Sequence, residues 1–440
     1  MHPSASLGTR PWKSTPYWWE AAPVAPLPET PLPVRVDVLI VGAGYAGLSA
    51  GLALARAGRS VAVLDAMNPG EGASSRNGGI TSGNIRPDHR TLVRRFGQAA
   101  ADQVTVEGRD ARAFLTDLIR SEGLECDFQP VGRFTGAFGY DQYDVMARDA
   151  EALSRRLGIE TYAVPHAEQH GHIGTDHYRG GTVRMDIGGL HPGRFHAELL
   201  RVALAAGVAV HSGCRVKAVW REGAGFAVQT ARGAIEAGRV LVCTNGYTDA
   251  GFAWLRRRIV PVRSRIIATD PLPAEVMQRL MPRRMMMAEN SLLGFYYRPS
   301  PDFTRILLGG RDQSIQGEPE APTHMLREGL VRLFPELAAV GISHSWFGNV
   351  AMHRDMLPRI FQKDGVDYAT GFCGSGVVWA PWIGARAAAR ILNGDRAPAS
   401  VFDFRPPKPV PLYTGWPYFM PAVTGWYFLC DRLALSRARR

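Results

Sequence analysis

The chain has 440 residues, of which 46% are hydrophobic and 21% are charged, as in a folded protein and unlike a disordered one. This length predicts two lobes with large cores. The formal net charge is +11, from 51 Lys and Arg against 40 Asp and Glu, but the arginines are dispersed except at residues 256–258 and 437–440. We interpret the excess as a solvated basic face and expect no nucleic-acid partner.

The five cysteines are odd in number, widely spaced and free of CxxC pairs. This pattern argues against a disulfide framework and a zinc site, and favours a reducing compartment. Four histidines between residues 166 and 177 lie in a polar, glycine-containing stretch, which predicts a surface loop and no metal site. The first twenty residues lack the apolar core of a secretory signal, and no apolar run is long enough to span a bilayer. We therefore expect a cytoplasmic protein.

In chain order, residues 1–34 are rich in Pro, Trp and Ala, and predict an extended arm laid over the body. The run RVDVLIVGAG predicts a buried strand, AGLSAGLALARAG predicts a helix that ends at Gly58, and SVAVLDA predicts a second strand. A strand, a glycine turn, a helix and a strand in this order form a βαβ unit.

Beyond this unit, residues 91–175 predict mainly helices, and residues 192–250 predict a helix, strands and a hairpin. Residues 255–345 alternate short β-like runs with polar turns, as in an antiparallel sheet. The stretch DGVDYATGFCGSGVVWAPWIGARAAARILNG is again a strand, a glycine loop and a helix.

These patterns predict the α/β class. A nucleotide-binding lobe is assembled from discontinuous segments, and an α+β substrate lobe is built on a mixed or antiparallel sheet. The first lobe comprises residues 35–90, 180–250 and 345–405, the second comprises residues 91–179 and 251–344, and residues 406–440 form an aromatic and then basic tail.

The stretch VGAGYAG places Gly42, Gly44 and Gly47 in a GxGxxG arrangement between a strand and a helix. The first glycine permits the turn, the second lets backbone N–H groups approach a pyrophosphate, and the third allows close helix packing. Asp65 ends the next strand, where a carboxylate accepts hydrogen bonds from the ribose hydroxyls of an adenosine. The motif predicts a dinucleotide and leaves NAD and FAD open.

Two other glycine-rich stretches favour FAD. SSRNGG offers Arg76 to a pyrophosphate and two glycines to a flat ring, and TGFCGSGV supplies three glycines directly before another helix. A helix N-terminus carries partial positive charge, which suits the negative charge that a reduced flavin carries near N1 and the C2 oxygen.

The combination of DVLIVGAGYAGLSAGLALARAG, GASSRNGG, VLVCTNGYT and DYATGFCGSGV resembles the FAD-dependent D-amino-acid oxidase/glycine oxidase/sarcosine oxidase superfamily. Within it, PYWWE, SSRNGG and PVRSRIIATDPL are most similar to gamma-glutamylputrescine oxidoreductase-like proteins. The resemblance implies a Rossmann-like lobe that binds FAD. The implied cofactor-binding residues are Gly42, Gly44, Tyr45, Ala46, Gly47, Asp65, Ala66, Ser75, Arg76, Asn77, Gly78, Gly79, Val216, Thr244, Asn245, Gly246, Gly371, Cys373, Gly374, Ser375, Gly376, Val377 and Val378.

The resemblance also implies oxidation of the C–N bond of an amine by hydride transfer to flavin N5, followed by hydrolysis of the imine. The amine is a polyamine, a gamma-glutamyl amine or an N-substituted amino acid, and oxygen or another electron acceptor reoxidises the flavin. Related enzymes attach flavin through a His or a Cys that residues 74–79 and 291–298 lack, so we expect non-covalent FAD.

Sarcosine oxidases bind a substrate carboxylate with a Lys and an Arg that residues 377–379 and 80–84 do not contain. We therefore expect an amine whose carboxylate is absent or distant from the reacting carbon. The substrate is expected under the antiparallel sheet that contains Phe295. The catalytic candidates are Tyr296, Tyr297, His353 and Trp379, of which the two tyrosines point to opposite faces of a strand.

Two alternative functions stay open at this point. One is a D-amino-acid dehydrogenase, and the other is a flavin-dependent tRNA-modifying or RNA-binding protein, which the net charge suggests. We expect a monomer or a homodimer. The tail either contacts a membrane surface or covers an apolar groove on its own body or on a second subunit, and we favour the groove because Pro417 and Pro421 interrupt an amphipathic helix.

Overall fold

The computed structural model describes residues 12–312, 314–403 and 405–438, and within them the chain forms two eight-stranded sheets. Strands are numbered in chain order. The strands of the first sheet are β1 (Arg35–Val41), β2 (Val61–Leu64), β6 (Ala209–His211), β7 (Val216–Glu222), β8 (Gly225–Thr230), β9 (Ala234–Val242), β15 (Arg359–Lys363) and β16 (Val366–Thr370). Those of the second sheet are β3 (Arg133–Gly136), β4 (Thr161–Val164), β5 (Gly181–Arg184), β10 (Val260–Thr269), β11 (Met286–Glu289), β12 (Tyr296–Pro299), β13 (Ile306–Arg311) and β14 (Ile342–Met352).

The helices cover both sheets and connect their strands. They are α1 (Tyr45–Arg56), α2 (His89–Phe96), α3 (Gln98–Ser121), α4 (Tyr140–Leu157), α5 (Pro192–Ala205), α6 (Ala253–Arg256), α7 (Ala274–Leu280), α8 (Ala321–Leu333), α9 (Gly376–Asn393) and α10 (Met420–Ala438).

The first sheet has the order β15-β16-β9-β1-β2-β6, and the β7–β8 hairpin joins it through β9. Its central pairs are parallel, and all four residues of β2 are buried, as expected where helices cover both faces of a sheet. Helices α1 and α9 pack closely against each other, since a Cβ at Gly384 would lie 2.2 Å from the carbonyl oxygen of Ala46.

The second sheet has the order β14-β10-β13-β12-β11-β3-β5-β4 and is antiparallel except for the β3–β11 pair. Its buried face packs on α7 and α8 around side chains such as Met277, Ile306 and Leu330. The predicted α/β class, with a parallel sheet assembled from separate segments and a second mixed sheet, is confirmed.

Two strands belong to the second sheet although the predicted boundaries place all or part of them in the first lobe. β5 falls within residues 180–250 but pairs with β3 and β4 of the second sheet, and β14 crosses residue 345 while pairing with β10. β5 alternates buried and half-buried residues, which is the pattern of an antiparallel strand and which the sequence interpretation overlooked. The exact extent of the lobes stays a prediction.

The tail differs from its prediction in one respect. α10 begins at Met420, so Pro417 precedes it and Pro421 lies in its first turn, where proline is tolerated because the N–H there needs no intrahelical partner. Neither proline interrupts the helix. Among the described helices, none combines the length and the apolar character needed to cross a bilayer.

Candidate active site

A cavity of about 390 Å³ lies where β1, β2 and β9 end and α1 begins. Parallel sheets bind nucleotides at this edge, where a helix N-terminus presents unpaired N–H groups. The residues predicted to bind the cofactor that line this cavity are Gly42, Gly44, Tyr45, Ala46, Asp65, Ala66, Asn77, Val216, Thr244, Asn245, Gly374, Gly376 and Val377. Sequence reasoning missed Ser74, Arg215 and Tyr247.

The three glycines of GxGxxG each meet a steric requirement of the turn. Gly42 has a φ of +106°, which favours glycine, and a Cβ at Gly47 would lie 1.9 Å from the carbonyl oxygen of Gly42. A Cβ at Gly44 would approach Ser74 Oγ to 2.8 Å. That hydroxyl accepts the Tyr45 N–H at 3.1 Å and so caps the start of α1.

Asp65 is held by the backbone at the end of β2. Its Oδ2 accepts the Ala43 N–H at 2.8 Å and its Oδ1 accepts the Met67 N–H at 2.9 Å. Burial raises the pKa of Asp65, and the two N–H groups oppose that rise. The carboxylate is therefore fixed in orientation at the cavity wall.

Three tryptophans hold the SSRNGG loop, two of them from the N-terminal arm. Trp18 Nε1 donates to the Asn77 carbonyl at 2.8 Å, Trp19 Nε1 donates to Ser75 Oγ at 2.7 Å, and Trp346 Nε1 donates to the Arg76 carbonyl at 2.9 Å. The arm therefore fixes the loop, and Ser75, which is buried and does not line the cavity, serves that contact.

We expect Trp18→Phe to lower the free energy of unfolding by about 1–3 kcal/mol, because the ring stays but the Asn77 carbonyl loses its donor. Urea denaturation followed by circular dichroism measures the change. Trp220→Phe is the control, because Trp220 is 46% exposed on β7. Equal effects of the two substitutions would contradict the role of the Trp18 hydrogen bond.

A second cavity of about 260 Å³ adjoins the first and shares with it Ala73, Asn77, Asn349, Val350, Gly374 and Val377. The predicted residues Arg76, Asn77, Gly78, Gly79, Tyr296, Cys373, Gly374, Ser375 and Val377 line it. The two glycine-rich stretches thus meet between the cavities. Gly374 has a φ of +99° and open space where a side chain would be.

Three arginines that the sequence interpretation missed line this second cavity. Arg311 ends β13, Arg86 lies in the loop before α2, and Arg133 lies on β3. The guanidinium groups of Arg86 and Arg311 form no hydrogen bond or ion pair with the described residues. Burial, and then the charge of Arg86, lower the pKa of Arg311 to about 9.

Glu289 is the one acidic side chain among the described residues lining this cavity. Its Oε2 accepts the Phe295 N–H at 2.8 Å, and its Oε1 accepts the Tyr178 hydroxyl at 3.3 Å. Burial raises the pKa of Glu289 to about 7. The group therefore titrates near neutral pH.

The four catalytic candidates occupy different environments. Tyr296 lines the cavity, and its hydroxyl oxygen lies 3.0 Å from Ser264 Oγ. Tyr297 points into the core, and its hydroxyl oxygen lies 2.9 Å from that of Tyr178. Trp379 is buried and donates to the Asn84 carbonyl at 3.0 Å, outside both cavities.

His353 is also a packed residue. Its Nδ1 lies 3.0 Å from the Arg258 carbonyl oxygen, and burial lowers its pKa to about 4. Its ring packs against Gly371, where a Cβ would lie 2.1 Å from Cδ2. The predicted residues that line neither cavity are Gly47, Ser75, Gly246, Gly371, Val378, Tyr297, His353 and Trp379.

Residues 37–390 match the family described as DAO, FAD dependent oxidoreductase. The chain belongs to this family. It is 28% identical over 386 residues to gamma-glutamylputrescine oxidoreductase of Escherichia coli (strain K12), covering 86% of this chain and 88% of that protein. It is also 28% identical over 433 residues to a probable oxidoreductase OrdL of Rhizobium meliloti (strain 1021), covering 94% of this chain and 97% of the relative.

The fold agrees with solved DAO structures. Glycine oxidase from Geobacillus kaustophilus superposes with a TM-score of 0.71 at 18% identity, over 85% of this chain and 99% of that one. Iminodiacetate oxidase from Chelativorans sp. BNC1 superposes with a TM-score of 0.67 at 18% identity, over 84% of this chain and all of that one. The predicted family is confirmed.

The protein is therefore an FAD-dependent oxidoreductase, and its residues fit the cofactor. The glycine turn, the N-terminus of α1 and the fixed Asp65 carboxylate suit an adenosine diphosphate. The two glycine stretches leave room for a flat ring system between the cavities. Among the described residues, no group of three or more His, Cys, Asp or Glu side chains is placed to hold a metal ion.

Proposed function

We propose that this oxidoreductase oxidises the C–N bond of an amine that also carries a carboxylate, such as a gamma-glutamyl amine or an N-substituted amino acid. One observation carries the proposal: Arg86 and Arg311 face a cavity beside the cofactor site, and neither guanidinium group forms a hydrogen bond or an ion pair with the described residues. Arg86 is exposed and Arg311 is half-buried, so both guanidinium groups are accessible to a ligand in the cavity. Hydrogen bonds between a guanidinium and a carboxylate are among the strong ones in proteins, and they suit a substrate that carries a carboxylate.

The same charges disfavour a polyamine without a carboxylate. Such a substrate is a polycation, and it would enter a cavity whose described lining carries Arg76, Arg86, Arg133 and Arg311 against Glu289. This interpretation revises the expectation of an amine whose carboxylate is absent or distant from the reacting carbon: a carboxylate is now required, and its distance from that carbon is left open. That expectation rested on residues 80–84 and 377–379, and Arg86 lies just beyond the first of these windows.

The residues around the cavity have separable parts in the reaction. FAD, when bound, supplies the hydride acceptor. Arg86 and Arg311 hold the carboxylate, and the rings of Phe295 and Tyr296 exclude water and orient the amine. Glu289 accepts a proton from the ammonium form, because hydride leaves a carbon next to a neutral nitrogen.

The relatives support the amine class. The E. coli protein is named for gamma-glutamylputrescine, a compound that has both an amine and a carboxylate, and the Chelativorans structure is named for iminodiacetate, a secondary amine with two carboxylates. A D-amino-acid dehydrogenase is the second candidate, because the same arginine pair fits an α-carboxylate. We further propose that FAD is bound non-covalently.

An anaerobic spectral titration tests the proposal. We expect bleaching of the flavin absorbance by a gamma-glutamyl amine or an N-substituted amino acid, and little bleaching by putrescine. D-amino acids in the same panel test the second candidate, because a D-amino-acid dehydrogenase would be reduced by them. Readmitting air then shows whether oxygen is the acceptor. Reduction by putrescine alone would contradict the carboxylate requirement, and no reduction by any amine would contradict the amine class.

The pH dependence tests Glu289. We expect kcat/KM to rise as the pH increases through about 7, because the carboxylate forms above its pKa and only the ionised form accepts a proton. Glu289→Gln should abolish this rise, whereas Glu336→Gln, which alters a surface pair with Arg279, should keep it. An unchanged pH profile in Glu289→Gln would assign the titration to another group.

A further inference from the structure

The segment around α10 concentrates the exposed apolar surface of the protein. Fourteen large apolar side chains are exposed among the described residues, and seven of them lie between residues 412 and 433. These seven are Leu412, Trp416, Tyr418, Trp426, Phe428, Leu429 and Leu433. Such a concentration marks an interaction surface, whereas scattered apolar residues do not.

Three of these exposed residues share one side of α10. Trp426, Leu429 and Leu433 recur at spacings of three and four residues and are 61%, 48% and 50% exposed. The opposite side faces the protein, where Thr424 is buried and the Asp431 carboxylate accepts the N–H groups of Leu292 and Leu293 at 2.9 Å and 2.8 Å. The helix is therefore apolar on a side that the rest of the chain does not cover.

The charge of this segment indicates what covers the exposed side. Residues 420–440 contain four arginines, namely Arg432, Arg437, Arg439 and Arg440, and one acidic residue, Asp431, which gives a net charge of +3. Two copies of the segment would repel each other if the exposed sides paired. Anionic headgroups would attract it, and Trp and Tyr side chains favour the boundary between headgroups and acyl chains.

We propose that α10 docks the protein on an anionic lipid bilayer, with Trp426, Leu429 and Leu433 inserted at the headgroup boundary and the net positive charge of the segment attracting it to the headgroups. This is a surface contact, in which binding grows with the buried apolar area and with the attraction to anionic lipid. The helix lies beyond residues 37–390, which match the family.

Docking through α10 would bring the bilayer close to the substrate cavity. Asp431 holds the turn that contains Ser291 and Phe295, which line the cavity, and the Tyr427 hydroxyl interacts electrostatically with Arg86 and Arg311. The docking helix therefore lies beside the wall of the substrate cavity.

Co-sedimentation of the FAD-loaded full chain with vesicles tests this proposal. We expect binding to vesicles of phosphatidylglycerol and phosphatidylcholine, weaker binding at high salt, and little binding to phosphatidylcholine alone. The variant Trp426→Gln, Leu429→Gln, Leu433→Gln should bind at least about tenfold more weakly. The control Phe96→Gln, Leu204→Gln, Trp220→Gln removes apolar side chains of 41–46% exposure elsewhere and should bind as the wild type does.

Each contrary result has a definite meaning. Absence of binding to anionic vesicles, or equal losses in both triple variants, would overturn the proposal. A dimer in sedimentation velocity that the α10 variant alone converts to a monomer would assign the surface to a second copy instead. The flavin absorbance of each variant shows that it is folded, independently of any amine, so failure of the proposed activity leaves this test intact.

Discussion

Arg311→Gln should lower kcat/KM for a carboxylate-bearing amine by on the order of 100-fold, because removing one partner of a desolvated charge pair costs about 2–5 kcal/mol. Arg311, at the end of β13, is half-buried, whereas Arg86 is exposed, so Arg311 is the more enclosed of the two. Burial lowers the pKa of Arg311. The loss should fall mainly on KM, since the carboxylate is bound in the ground state and the transition state alike. Steady-state kinetics measure it.

A matched pair of substrates isolates the contribution of the carboxylate charge of the substrate to this loss. The same amine with its carboxylate converted to a neutral amide should be a poor substrate of the wild type and should lose little more in Arg311→Gln. Arg311→Lys should give an intermediate value, because it keeps the charge but loses the planar donor fork. Arg263→Gln is the structural control, because Arg263 lies on the adjacent strand β10 and bonds Ser314 and Gly317 outside the cavity. If Arg311→Gln lowered kcat/KM equally for the amide and the carboxylate substrates, Arg311 would act through packing and not through binding of the carboxylate.

Most of the predicted residues that line the first cavity could be found from the sequence because their signals are local. The βαβ unit of β1, α1 and β2 follows from apolar runs and glycines within one short stretch, and the loop before α9 repeats the same logic. Alternation along β12 also predicted that Tyr296 and Tyr297 face opposite ways, as they do.

The arginines and Glu289 were not predictable from any motif. Arg86 and Arg311 are more than 200 residues apart, and the β10–β13–β12 pairing brings Arg311 beside Tyr296. One local signal existed: ILLGGR is an otherwise uncharged strand that ends in Arg. An arginine at the end of a buried strand needs an anion, and no acidic residue precedes it within the strand.

The loop SSRNGG shows a second limit of sequence reasoning. Its glycines approach Tyr296 and the Leu190 carbonyl, and its Ser75 hydroxyl accepts a hydrogen bond from Trp19. The sequence showed that the loop lacks bulk but not that an arm some 60 residues earlier covers it. Contacts of that kind depend on tertiary packing and do not appear in the periodicity of apolar residues along the sequence.

The second large effect is expected at Gly44, where space and not backbone conformation is limiting. Gly44 has an extended backbone that any residue adopts, with φ −82° and ψ −175°, and a Cβ there would meet only Ser74 Oγ at 2.8 Å among protein atoms. Gly44→Ala alone should therefore weaken FAD binding for two reasons that need separating: displacement of the Ser74 hydroxyl from α1, and a methyl group where the pyrophosphate approaches the backbone.

The double variant Gly44→Ala, Ser74→Ala separates them. It removes the collision with the hydroxyl, and we expect FAD affinity to remain about 10–100-fold below that of Ser74→Ala, since an added methyl in a filled site costs about 1–3 kcal/mol. Fluorescence titration of the apoprotein measures the affinity, and FAD released by acid precipitation shows whether it was bound non-covalently. Gly51→Ala on the same helix is the control, because its Cβ would meet Val63 and Val208 at 3.4 Å, which is ordinary contact, and it should bind FAD normally. If the double variant bound FAD as well as Ser74→Ala, the pyrophosphate would not lie on Gly44, and the cofactor would be held mainly by the wall opposite α1.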